Sequence, residues 1–192
     1  IYYIIFKRGW WFEKNINYHI YFYSDFSLVG CGSNIKGKEQ VKEEKQQALL
    51  EIGKFNEISP DELVKIMGEP TEKENVNLSV TPSKKIPIIY YNYKKSDMYL
   101  EFLIYNGKIV RLNLHSPTYY DSKKPNFHYQ SYQELFELFG VPKESNPELI
   151  VKTPEALRFK PVEKFGEVYI LGDTEKKTFW LAKITYDLSV FK

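Results

Sequence analysis

The side chains that most often carry chemistry are few in this chain and stand apart. His19, His115 and His128 share no H-E-x-x-H or comparable ligand spacing. A single cysteine excludes both an internal disulfide and a multi-cysteine zinc site. Ser59 and Ser131 sit in no nucleophile elbow, and helix capping accounts for both. Gly166 and Gly172 build no phosphate loop, and Asp97, Glu101 and Asp173 show no pairing that would divide acid and base roles between two carboxylates. The reading is therefore no catalytic residue, no metal and no cofactor. What remains is tyrosine. Tyr90, Tyr91 and Tyr93, with Tyr99 and Tyr105, fall on strand-like stretches, and Tyr119 and Tyr120 on a linker. They offer an aromatic strip to a ligand, although strand alternation sends about half of the strand tyrosines to a core.

The elements that must position these residues are organised by a phrase that occurs twice. Ser59-Pro60-Asp61-Glu62-Leu63-Val64-Lys65-Ile66-Met67-Gly68-Glu69-Pro70 and Ser131-Tyr132-Gln133-Glu134-Leu135-Phe136-Glu137-Leu138-Phe139-Gly140-Val141-Pro142 share Ser, Glu, Leu, Gly and Pro at matching places. Each reads as one short helix. The serine accepts a backbone N–H at the N-cap, and the glutamate three residues on returns a bond. Leu63, Ile66 and Met67 fall on one face, as do Leu135, Leu138 and Phe139. The glycine ends the helix and the proline forbids its continuation. A helix this short is marginal alone and needs a sheet to pack on.

Strands follow each phrase. Ile88–Tyr93, Met98–Tyr105 and Lys108–His115 alternate, and Asn106-Gly107 between the last two is a strong type I′ hairpin signal. In Lys108–His115, Ile109, Arg111, Asn113 and His115 alternate with Val110, Leu112 and Leu114, so one face is apolar and the other mostly polar. In the second half Leu157–Val162, Glu167–Leu171, Thr178–Tyr186 and Leu188–Phe191 read as strands. The expected fold class is α+β: a tandem repeat of a short helix packed on an antiparallel β-sheet, with units at 57–116 and 131–192 joined by a linker at 117–130.

Composition bounds the function classes. The chain has 192 residues, 43% apolar and 27% charged, which marks a globular protein. Its net charge of +2 argues against a dedicated nucleic-acid binder, which would carry a concentrated basic face.

The address is written in Leu28-Val29-Gly30-Cys31, which resembles the lipobox of bacterial lipoprotein precursors. The resemblance implies that Cys31 carries a diacylglycerol and becomes the mature N-terminus. Residues 31–56 then read as a polar and partly helical tether: 32–47 are almost without apolar residues, and Ala48, Leu49, Ile52 and Phe55 add an apolar stripe near its end. Residues 1–30 are signal-like but broken, because His19, Ser24 and Asp25 interrupt the apolar run that a signal requires. An upstream reading frame supplying that run is the expected explanation.

The capped helix followed by strand, hairpin and strand resembles the module of SmpA/OmlA-type envelope lipoproteins and of the tandem-repeat β-lactamase inhibitor protein. The resemblance covers 57–114 and more loosely 131–191. It implies a binding or envelope-assembly role and supplies no catalytic residues. The function expected is that of a non-catalytic cell-envelope lipoprotein, anchored to the membrane by its lipid and meeting a protein or cell-wall partner outside the cytoplasm. An extracytoplasmic hydrolase built from scattered residues and an intracellular interaction module are the alternatives.

Overall fold

The Ser59 phrase folds as its capping chemistry requires, and the Ser131 phrase does so only in part. The computed structural model describes residues 48–162 and 165–192; Cys31, His19, the signal-like segment and the tether to residue 47 lie outside the described residues. Helix α1 spans Pro60–Met67, and Ser59 closes a full capping box with Glu62. Gly68 ends it at φ +83°. Helix α2 spans Tyr132–Glu137; the Ser131 hydroxyl accepts from the Glu134 amide, but the Glu134 carboxylate reaches one residue further back, to the Gln130 amide at 2.5 Å.

Nine strands follow from alternation and turn chemistry. They are β1 (Glu72–Ser79), β2 (Lys85–Lys95), β3 (Met98–Tyr105), β4 (Lys108–His115), β5 (Phe127–His128), β6 (Leu149–Lys152), β7 (Ala156–Phe159), β8 (Glu167–Asp173) and β9 (Thr178–Thr185). At the β3–β4 hairpin Asn106 and Gly107 both take positive φ, as a type I′ turn demands. Residues 188–191, expected to be a strand, instead form a 3-10 turn opened by Asp187, whose carboxylate accepts from the Ser189 amide.

The expected tandem of two helix-on-sheet units is overturned. All nine strands belong to one antiparallel sheet, in the order β1-β2-β3-β4-β9-β8-β7-β6, with β5 also paired to β9. The joint is β4 against β9, where Arg111–His115 pairs with residues 185–181. Two separate sheets would each have ended there on a row of unpaired amides and carbonyls, and pairing them removes both edges. The core follows suit. Leu63 of α1 and Leu135 of α2 are both fully buried in one apolar cluster with Phe102, Leu112, Phe159 and Ile184. The protein is thus mostly β, with two short helices on a continuous sheet.

Three strands went unread in the sequence: β1, β5 and β6. β1 is a polar edge in which only Val76 and Leu78 pack inward, and β5 has two residues. Residues 49–55, read as the end of a tether, join the core. Leu50, Ile52 and Phe55 are buried, and the Leu49 amide donates to the Leu138 carbonyl at 2.8 Å.

The sheet has two unlike faces. The first carries the helices and the main cluster, with Phe55 and Tyr93 packed edge-on against Phe102 at 4.9 and 5.6 Å. The second carries a small apolar cluster, Ile86, Ile88, Leu103, Val110 and Val190, and beyond it a polar field.

Candidate functional site

Strand register builds that polar field. Asn92, Glu101, Asn113, Lys183 and Tyr169 are successive partners on β2, β3, β4, β9 and β8. Glu72 continues the row on β1 and Arg158 on β7. Directly opposed residues share a face, so these seven side chains form one line across the second face. A parallel row on one side runs Tyr90, Leu103, Arg111, Thr185, Glu167, and on the other side Lys94, Tyr99, His115, Leu181, Leu171.

Glu101 is the hub. Its Oε2 accepts from Asn113 Nδ2 at 3.0 Å and lies 2.9 Å from His115 Nε2. Burial works to raise the Glu101 carboxyl, but the His115 and Asn113 contacts and the Lys183 charge outweigh it and hold it below the usual carboxylate range. Tyr119 covers the pair. Its ring lies 4.1 Å from the His115 ring and stacks on Tyr99 at 5.0 Å. Burial, then the Glu101 charge and Tyr119, push the Tyr99 hydroxyl up to about 12.

In the neighbouring row Arg111 enters no ion pair among the described residues. The Arg111 guanidinium lies 3.6 Å from the centre of the Phe191 ring, and its Nε donates to Thr185 Oγ1 at 3.1 Å. Burial lowers the Arg111 pKa, with the Tyr90 and Glu167 hydroxyl and carboxylate opposing. Lys183 is lowered by burial and then by Arg111. In the central row the amide oxygens of Asn92 and Asn113 are buried and make no hydrogen bond among the described residues.

The tyrosine strip does not hold together. Tyr90 joins the polar face, whereas Tyr93 is buried in the main core with its hydroxyl donating to the Gly68 carbonyl at 3.2 Å. Tyr91 packs against that same core, under Lys73. Tyr119 reaches the His115 pair, and Tyr120 lies under Lys94 at 4.6 Å. Asn92, Glu101, Arg111, Asn113, His115 and Lys183 were missed as a group. The polar alternation of β4 marked three of them, but the partners across the strands are a matter of register. His128 stands apart on β5. Among the described residues no cluster of His, Cys, Asp and Glu is placed to hold a metal ion, and no helix is long and apolar enough to cross a membrane.

No family model matches the chain, and no curated protein does. Among solved structures, the chain is similar to an extracellular protein containing a SCP domain from Bacillus anthracis str. Ames, at 13% identity and a TM-score of 0.42, over 82% of this chain. It is also similar to a cysteine-rich secretory protein from Staphylococcus aureus subsp. aureus Mu50, at 8% identity and a TM-score of 0.39, over 76% of this chain. The chain spans about half the length of these structures, 51% and 50%.

Proposed function

We propose that this chain is a non-catalytic binding or assembly module of the cell envelope. It is anchored through a lipid on Cys31 and meets a protein or cell-wall partner with the second face of its sheet. The anchor is supported by the Leu-Val-Gly-Cys sequence and the polar stretch after it. The binding face is supported by one observation. The polar row is not closed on itself, because the Lys183 ammonium makes no hydrogen bond or ion pair among the described residues while Glu101 is held by Asn113 and His115. A half-buried cation is rarely left unpaired, and a partner that covers this face supplies the anion that Lys183 lacks.

Photo-cross-linking tests the face. A cross-linking residue at Tyr169, on the polar row, captures the partner in cells, and one at Ile66, exposed on α1, does not. Capture at Ile66 alone moves the interface to the helical face. Mass spectrometry of the native protein tests the anchor: an unmodified chain retaining residues before Cys31 removes it. The hydrolase alternative has one observation of its own, the His115–Glu101 pair at 2.9 Å. Cleavage of the captured partner, lost in His115→Ala, would favour it.

A further inference from the structure

Resting on the binding face proposed above, we infer that Arg111 and Lys183 form an oxyanion site that takes a carboxylate or phosphate group of the ligand. Arg111 is directly opposite Thr185, and Lys183 lies two residues before Thr185 on the same strand. The two cations are therefore diagonal neighbours on one face, roughly 7–8 Å apart at the backbone and within reach of a common point through their long side chains. Like charges so placed on a half-buried surface repel, and among the described residues no carboxylate forms an ion pair with either.

The nearest candidates are committed elsewhere. Glu101 is held by Asn113 and His115, and Glu167 is held by Arg158, whose Nε donates at 2.7 Å and whose Nη2 lies at 2.6 Å. Among the described residues neither Arg111 nor Lys183 enters an ion pair. Burial lowers the pKa of both cations, against Tyr90 and Glu167 at Arg111, and the Arg111 charge lowers Lys183 further, against Glu101. An anion between them would oppose the repulsion between the two.

The geometry fits an oxyanion rather than a halide-like point charge. The Phe191 ring 3.6 Å from Cζ and the Nε bond to Thr185 hold the guanidinium in place. Among the described residues its two Nη atoms make no hydrogen bond, and as a planar fork they match the two oxygens of a carboxylate or phosphate. Lys183 adds a second charge from the adjoining strand. Tyr169 stands opposite Lys183 on the flanking strand β8, and Tyr90 lies in the Arg111 row two strands away on β2.

The test is an NMR titration of the isotope-labelled chain with inorganic phosphate and, separately, with succinate at constant ionic strength. Saturable shifts are expected at residues 111, 169 and 183, weakened at least tenfold by Arg111→Gln and by Lys183→Gln and unaffected by Lys65→Gln. Arg111 packs on Phe191, so thermal unfolding is recorded alongside; Lys183→Gln leaves that packing in place. Saturation by one anion alone supports the site and names its source. No saturable response to either anion, or a response that survives both variants, overturns it. Cross-linking at Tyr169 that persists in both variants while neither anion binds leaves the binding face standing and removes the oxyanion site alone. Anion binding without any cross-linking at Tyr169 does the reverse.

Discussion

The Tyr186 hydroxyl donates to the Ile52 carbonyl at 2.8 Å, a buried bond between residues 134 positions apart. It ties the 3-10 turn Ile52–Phe55 to the end of β9, so the first described segment and the last long strand share one hydrogen bond. Tyr186→Phe removes the donor and leaves the carbonyl buried. The expected loss is about 1–3 kcal/mol in denaturant unfolding. An unchanged midpoint would show that the carbonyl finds another donor.

Tyrosines also set an alkaline limit. Burial pushes Tyr93, Tyr99 and Tyr129 up to about 12, and Tyr186 well above its ordinary value of 10.0. Above pH 10 the unfolded chain loses these protons while the folded chain keeps them, so unfolding is favoured as pH rises. Stability is expected to hold below pH 10 and to fall progressively toward 12. Tyr99→Phe should flatten that fall, measured as the pH dependence of the unfolding midpoint. An equal slope in the variant would discount Tyr99.

Glu101 governs the acid side in the opposite sense. Burial raises its carboxyl, but the His115 and Asn113 contacts prevail and its folded pKa is lowered from 4.5. Its contribution is therefore present above the unfolded value and is lost as pH falls through the folded one. Glu101→Gln should destabilise the protein by about 1–3 kcal/mol near neutrality and weaken the acid dependence. Parallel acid limbs for the two proteins would contradict this.

Two glycines separate strain from collision. A Cβ at Gly172 would meet the Thr178 carbonyl oxygen at 1.9 Å and Phe179 Cα at 2.6 Å, where β8 and β9 shift register. All of these atoms are β9 backbone, held in the ladder and unable to yield cheaply, so Gly172→Ala should cost on the order of 3 kcal/mol or more. Gly107, at φ +74°, has open space around it, and Gly107→Ala should cost only about 1 kcal/mol from its left-handed conformation. Thermal unfolding of the pair checks the order, and equal losses would refute the collision.

Much of the local structure was legible because it rests on residues close in sequence. Ser59, Glu62 and Gly68 dictate where α1 starts and stops, and Asn106-Gly107 dictates the β3–β4 hairpin, within a few bonds of one another. The edge strand β1 was not legible, since a strand that packs only Val76 and Leu78 shows too little alternation in a polar run. The tyrosine strip failed for a related reason: Tyr90 and Tyr91 are adjacent, and adjacency in a strand means opposite faces.

The sequence by itself determined the two capped helices, the hairpin and a β4 strand with one polar face. Only the tertiary structure decided that β4 would pair with β9 and make one sheet of two expected units, because edges close against whatever edge is nearest in space. It also decided the polar row. The two-residue hairpin alone would carry its register up to set Glu101 opposite Leu112; a bulge between Leu103 and Ile104 shifts the ladder by one and sets Glu101 opposite Asn113. One extra residue turns a whole strand's partners to the other face, and that displacement depends on packing across the sheet rather than on any residue type at the bulge.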